Sequence, residues 1–315
     1  MSGEYRYLFG PVPSRRLGYS LGVDVIPYKT CSYDCIYCQL GRTTEKTVTR
    51  RGYVPVEEVA RELERKLKEP GKIDYVTFSG SGEPTLHAGL RELIRTAKRL
   101  TDVPVAVLTN GSLLWDGEVR SSLAQADLIV PSLDAGSEDV FRYVNRPCAG
   151  LTLRHVIEGT IELCSRHREK VWLEVMLLAG VNVAIKDMRK LNSIIKKINP
   201  AKVQLNTVTR PPAEPYAWRV AADGMRELAD RIDGDVEIIS DFDRSPRRGE
   251  SGGVENEIIA LLRRRPCSVT DIAGSLNLHP HEAIKHLESL EENGFLVSKR
   301  SGGSVYYAAK RPPVQ

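Results

Sequence analysis

The chain has 315 residues, 41% of them apolar and 27% charged, which excludes a wholly disordered chain and fits about two globular domains. Lys and Arg outnumber Asp and Glu by 45 to 41, so the net charge of +4 permits an anionic partner without demanding one. No apolar run reaches the roughly 20 residues of a membrane helix. The first residues, MSGEYRYLFG, lack a basic-then-apolar leader pattern, and six cysteines are too sparse for a disulfide scaffold, so a cytoplasmic protein with reduced thiols is expected.

In chain order, six apolar, β-branched runs read as strands: 20–26, 73–79, 103–109, 126–133, 170–178 and 201–208. Most are continuous rather than alternating, as in strands buried on both faces. Helical spacing occupies the intervals 55–69, 88–100, 116–125, 152–167 and 184–198. Strand alternating with helix predicts a parallel sheet with right-handed crossovers, in an open or closed α/β barrel whose reactive groups sit at the C-terminal strand ends. A further helix (222–232) and short strand (236–239) complete a domain over 1–239. The polar, glycine-bearing stretch 240–253 reads as a linker. Residues 254–315 read as a small α+β domain of three helices and a hairpin resembling a winged helix-turn-helix. Ser268 and Asp271 there fit a helix start, and Pro280 suits a first helical turn.

The chemistry concentrates after the first strand, in Cys31-Ser-Tyr-Asp-Cys35-Ile-Tyr-Cys38. Three closely spaced thiolates can hold an iron–sulfur cluster, and with no fourth cysteine nearby one iron stays open to a chelating substrate. Structural zinc is the alternative, but it usually takes four ligands in paired motifs, and no second pair exists. Beyond the second strand lies Ser79-Gly80-Ser81-Gly82-Glu83-Pro84. Its glycines let backbone approach a ligand closely. A dinucleotide-binding loop would need glycine at 85, where Thr85 stands.

The C-x3-C-x2-C spacing within a six-fold strand–helix repeat resembles the radical S-adenosylmethionine (radical SAM) superfamily, over about residues 15–210. The resemblance implies a partial (β/α)6 barrel. It implies a [4Fe-4S] cluster on Cys31, Cys35 and Cys38, with S-adenosylmethionine (SAM) chelating the fourth iron. It also implies reductive SAM cleavage, hydrogen abstraction by the 5′-deoxyadenosyl radical, and a one-electron donor of flavodoxin or ferredoxin type. Tyr37 then packs near the adenine. Gly80, Ser81, Gly82 and Glu83 meet the SAM ammonium, Asn110 and Ser132 lie near its methionyl and ribose groups, and Glu174 meets ribose or substrate. Asp134, Asn206 and Arg210 are substrate-side candidates. Cys148 is a candidate hydrogen-atom donor, with an inert core thiol as the bland alternative. Arg15 and Arg16, preceding the first strand, could flank the barrel mouth and meet a phosphate or carboxylate, or simply pair on the surface. The words GPVPSRRLGYSLGVD, SGSGEPTL, VLTNGSLL and QLNTVTRPP narrow the likeness to wyosine-type tRNA-modifying members.

The small domain carries Glu282, Glu288, Glu291 and Glu292 against Lys285 on its expected recognition helix, which disfavours simple DNA binding. A docking module for RNA or peptide is expected instead, with a packing or dimerisation module as the alternative, and no membrane partner. Peptide, protein and small-metabolite substrates stay open, as does an iron–sulfur redox regulator with the small domain as its output.

Overall fold

The structure is a computed structural model describing residues 5–209, 212–239, 253–278, 280–301 and 304–310. Its elements, in order, begin with β1 (Leu8–Ser14), β2 (Gly18–Val23), β3 (Thr30–Cys31), β4 (Glu45–Lys46), α1 (Val56–Leu67), β5 (Tyr75–Phe78) and α2 (Leu90–Leu100). Next come β6 (Val105–Thr109), α3 (Gly117–Leu123), β7 (Leu128–Pro131), α4 (Glu138–Asn145), α5 (Leu153–His167), β8 (Trp172–Leu177) and α6 (Ile185–Ile198). They are followed by β9 (Lys202–Thr207), α7 (Ala222–Ala229), β10 (Val236–Ile238), α8 (Val254–Arg264), β11 (Cys267–Ser268) and α9 (Val269–Leu276). The last are α10 (Pro280–Glu292), β12 (Leu296–Ser301) and β13 (Ser304–Ala309).

All six apolar runs are strands, and they lie in chain order. β2, β5, β6 and β7 pair in parallel within one sheet, and β8, β9 and β10 within another. Bridges Ile129–Val171 and Ser132–Glu174 join β7 to β8. Continuous apolar strands fit this two-sided burial: Leu128, Ile129, Val130 and Pro131 are all buried, as are Val76 and Phe78. The amphipathic helices cover the sheet with Leu63, Leu93, Ile94, Leu163 and Ile195, all in the main core. This is a mixed α/β fold with parallel strands.

β1 and α4, like the two-residue strands β3, β4 and β11, escape the periodicity. β1 pairs antiparallel with β2 at the sheet edge and is irregular between Phe9 and Val12. Gly10, Pro11 and Pro13 make LFGPVPS read as a loop, but an edge strand with a bulge tolerates them. The short α4 starts after Ser137 and ends where Arg146 turns left-handed, at φ 46°.

In the C-terminal segment, β12 and β13 form the expected hairpin, and β11 adds to β13, making a small antiparallel sheet. Ser268 and Asp271 form a reciprocal capping box on α9. The linker expected at 240–253 lies outside the described residues, except for Gly253. The second core joins Ile258, Leu261, Ile272, Leu287 and Leu296 with Val12, so β1 serves both cores. No described helix is long and apolar enough to cross a membrane.

Candidate active site

The cysteine segment crosses the sheet's C-terminal edge because the chain around it is tied down. Ile36 is fully buried beside Val144, Leu178 and Ala217. The amide of Asp34 donates to the Asn145 carbonyl at 3.0 Å, and that of Ile36 to Val144 at 3.0 Å. Tyr33 packs edge-on to Phe141, with ring centroids 5.5 Å apart. Between these anchors the Cys38 amide donates to the Cys35 carbonyl at 3.1 Å, and the Gly41 amide to Cys38 at 3.0 Å. None of the three cysteines is in a disulfide, and each residue is half-buried.

Each sulfur also receives one side-chain N–H. Lys29 Nζ stands 3.3 Å from Cys38 Sγ, Asn110 Nδ2 3.5 Å from Cys31 Sγ, and Asn145 Nδ2 3.6 Å from Cys35 Sγ. Lys29 is buried, and its backbone is left-handed (φ 61°). Its amide donates to Ser81, and its carbonyl accepts from Thr44 and Glu45. That backbone knot, not the side chain, directs the ammonium inward.

Burial pushes the Cys31 thiol up to about 12, with the Glu83 carboxylate adding to it. Burial, Asp134 and the neighbouring thiols push Cys35 the same way. Thiolates form here in step with a bound cationic centre, as in metal sites generally. Among the described residues, no three His, Cys, Asp or Glu side chains group closely enough to hold a single metal ion. Ligands of one zinc must converge on a point, whereas thiolates on three corners of a cluster need not. Three thiols, three N–H donors and an adjoining cavity suit a [4Fe-4S] cluster with an open corner.

That cavity has a volume of about 400 Å³, in the range of small-molecule sites. Cys31, Cys38 and Tyr37 line one wall, and Gly80, Gly82 and Glu83 another. Asn110, Ser132, Glu174 and Asn206 line it from the strand ends, and Arg15, Arg16, Arg264 and Arg265 complete it.

Gly82 is there because nothing else fits: a Cβ would fall 2.0 Å from the Thr30 carbonyl oxygen. At Gly80, φ is +148° and a Cβ would strike Asp24. Glu83 closes this turn from beneath. Oε1 accepts from the Thr85 amide at 3.0 Å and from the Thr85 and Thr109 hydroxyls at 2.6 Å each. Oε2 accepts from the Asn110 amide at 2.7 Å. Burial raises its pKa, although these bonds favour the charged form. Glu83 thus locks β5 to β6 and aims Asn110, whose Nδ2 also donates to Ser32 Oγ at 2.9 Å.

Glu174 accepts from Arg16 Nη2 at 2.6 Å and from Asn206 Nδ2 at 2.8 Å, both on Oε1. Burial alone raises its pKa, but Arg16 outweighs that and holds the carboxyl below the usual range. The structure thus brings Glu174, Asn206 and Arg16 together.

Several expected residues stand elsewhere. Ser81 is outside the lining and donates to Asp24 Oδ2 at 2.6 Å. Asp134 is also outside the lining, behind Tyr37. It accepts from Tyr37 Oη at 2.6 Å, Asn145 Nδ2 at 2.7 Å and the Met176 amide at 2.9 Å. In this position the carboxylate holds the tyrosine and the asparagine that reaches Cys35. Burial lifts its pKa to about 6. Cys148 lies in the main core, off the cavity, which fits the bland alternative. Arg210 lies outside the described residues.

Sequence reasoning missed Lys29, Asn145, Asp24 and Arg264. Lys29 stands two positions before the motif, and its charge was the available signal. Nothing in the sequence links Arg264 to Asp24, where Nη1 donates to Oδ2 at 2.9 Å. Arg264 Nη2 also donates to the carbonyls of Arg6 at 3.1 Å and Leu8 at 3.3 Å.

Comparison with known proteins agrees with this geometry. The radical SAM superfamily profile matches residues 25–191. A UPF0026 protein of Methanocaldococcus jannaschii is 40% identical over 306 residues, covering 95% of this chain and 94% of its own length. A protein of Brachyspira hyodysenteriae named GTPase Obg is 40% identical over 308 residues, and the chain spans 45% of that longer relative. The crystal structure of Streptococcus suis SuiB bound to S-adenosylmethionine has the same fold, at TM-score 0.52 and 14% identity, over 69% of this chain and 50% of that one. The chain belongs to the radical SAM superfamily, alongside the UPF0026 proteins, and is a radical SAM enzyme of a [4Fe-4S] cluster and SAM, a class that requires a reductant.

Proposed function

We propose that this enzyme modifies RNA, tRNA first, as its wyosine-like motifs suggest. Cys31, Cys35 and Cys38 would hold the cluster, which when bound would supply the electron for reductive cleavage of SAM and hence a radical able to take a substrate hydrogen. The chain's own residues do the rest. Gly80 and Gly82 leave room for the SAM ammonium, Tyr37 packs near the adenine, and Asn110 and Ser132 orient the methionyl and ribose groups. Glu174, fixed by Arg16 and Asn206, meets the ribose or the substrate. The open partial (β/α)6 barrel over 1–239 holds the chemistry, and 254–315 forms a winged-helix domain that helps recognise the substrate. A flavodoxin- or ferredoxin-type protein delivers the electron.

The observation that carries the RNA reading is the cavity's composition. Among the described residues, Arg15, Arg16, Arg264 and Arg265 share the lining with two carboxylates, Glu83 and Glu174; Arg16 is already paired with Glu174 and Arg264 with Asp24, so the wall carries a modest cationic excess. Arginine in such a setting favours phosphate-bearing ligands. The test is anaerobic reconstitution with SAM, dithionite and bulk tRNA, followed by mass spectrometry of the digested nucleosides. Expected are a new nucleoside and tRNA-stimulated release of 5′-deoxyadenosine, both absent in Cys35→Ala. Unchanged nucleosides with release indifferent to tRNA refute the RNA reading and favour a peptide or metabolite.

A further inference from the structure

The glycine turn after β5 rests on one carboxylate. Asp24, the residue after β2, is buried, and its Oδ2 accepts from the Ser81 hydroxyl at 2.6 Å. Gly80 lies directly over the same group, since a Cβ there would stand 2.5 Å from Asp24 Cγ. The other side of the turn is held by the cysteine segment. The Lys29 amide donates to the Ser81 carbonyl at 2.8 Å, and Gly82 packs on the Thr30 carbonyl. Asp24 is thus the floor of the turn on its β2 side.

What holds Asp24 comes from the C-terminal segment. Arg264, the last residue of α8, donates from Nη1 to the same Oδ2 at 2.9 Å. Its Nη2 donates to the Arg6 and Leu8 carbonyls, and its guanidinium lies over the Phe9 ring, 4.9 Å from the centroid. The two side chains are 16% and 7% exposed, so removing one partner leaves the other a buried, unpaired charge. Burial raises the Asp24 pKa, and Arg264 is the largest influence opposing that rise. One carboxylate oxygen therefore joins Ser81 in the turn to an arginine of the C-terminal segment.

We infer that Arg264 and Asp24 are positioning residues for SAM: through the Ser81 hydroxyl and the Gly80 backbone, the docked end of α8 sets the shape of the turn that receives the SAM ammonium. The inference rests on reading that turn as the ammonium site and gives the C-terminal segment a part in it. Asp24 is outside the cavity lining, so it acts on SAM through the turn and not by contact. Without the guanidinium the buried carboxylate loses its counter-charge and shifts toward water, and Ser81 and Gly80 shift with it. Coupling between two sites is reciprocal, so SAM that tightens the turn also tightens the hold on α8.

The test is SAM affinity, by equilibrium dialysis on the full-length, anaerobically reconstituted protein, with iron and sulfide determined on each sample. The variants are Arg264→Met, Ser81→Ala, the two together, and the charge-retaining Arg264→Lys. A control, Ile195→Ala, loosens the main core at α6 instead. Each single variant should weaken SAM binding about fivefold or more. The double variant should be little worse than the weaker single one, since both cut the same connection. Arg264→Lys should recover much of the loss, and Ile195→Ala should stay near wild type. Hydrogen exchange gives the second readout: SAM should slow exchange at 79–83 and in α8 of wild type, and the α8 effect should vanish in Ser81→Ala. If SAM protects 79–83 in wild type but either single variant binds it as wild type does, the relay is overturned while the turn stays the SAM site. If the two losses multiply in the double variant, Arg264 acts by its own contact in the cavity, and the relay is again refuted. If Ile195→Ala weakens SAM as much as Arg264→Met, the cause is general instability and the assignment falls. If SAM leaves 79–83 unprotected in wild type, the reading of the turn itself fails and takes the relay with it.

Discussion

Replacing Lys29 by Met should lower the reduction potential of the bound cluster. Met keeps the length of the side chain and removes the ammonium 3.3 Å from Cys38 Sγ. At that distance a unit charge pair is worth about 1.3 kcal/mol in a water-like medium and about 5 kcal/mol at an effective dielectric of 20. The added electron spreads over the cluster, farther away than Sγ, so about 1–3 kcal/mol is the reasonable share. For one electron, about 1.4 kcal/mol corresponds to 59 mV, giving a downward shift of roughly 40–130 mV. Both residues pay the same backbone penalty at φ 61°, so the comparison isolates the charge. The assay is a redox titration followed by electron paramagnetic resonance, with iron and sulfide determined on the same samples. Lys29→Arg should keep the potential near wild type. A shift below about 20 mV at full cluster content would show that the ammonium does not sense the cluster, and the reasoning fails.

Four further outcomes follow from the same geometry. Glu83→Ala strands the donors of Thr85, Thr109 and Asn110 and should cost about 3–5 kcal/mol in urea unfolding; Glu83→Gln, which keeps one acceptor oxygen, should cost about 1–3 kcal/mol. Equal midpoints for the two variants would contradict the bond assignment. Arg264→Met leaves the Asp24 carboxylate buried without its guanidinium, a change of about 3–5 kcal/mol, and should speed hydrogen exchange in α8; adding Asp24→Asn should recover part of it. Glu174 has a folded pKa below the unfolded one, so its stabilisation is complete above the ordinary Glu range and is lost as pH falls through the lower folded value. The penalty of Glu174→Gln, measured by urea unfolding, should therefore be largest at neutral pH and shrink below about pH 4.5. Cys164 is buried and its thiol is pushed up to about 12, so iodoacetamide at pH 8 should leave it unmodified in the native protein; rapid labelling there would refute its burial.

The strands and helices of the main sheet were legible because continuous β-branched runs and helical apolar spacing are local signals, and burial on both sheet faces enforces them. β1 and α4 were not: Gly10, Pro11 and Pro13 look like a turn locally, and only pairing with β2 makes them an edge strand. At the site, the spacing of Cys31, Cys35 and Cys38 announced the cluster chemistry, since three ligands within one loop need no distant partner. Gly82 was legible for the same reason. Glu83 was found but misread in emphasis, because its four bonds come from β6 and from the turn after it. Asp134 and Cys148 drew attention as strand-end and post-strand groups, yet which way a polar group faces at a strand end depends on what packs over it. The sequence by itself determined the fold class, the thiolate triad and the glycine turn, all written in short-range pattern. Only tertiary structure decided that Lys29, Asn110 and Asn145 each reach one sulfur. It also decided that Arg264 crosses to Asp24, 240 positions away. Long-range charge pairing leaves no periodic trace in a sequence, because the buried geometry that makes it worthwhile exists only after the chain has folded.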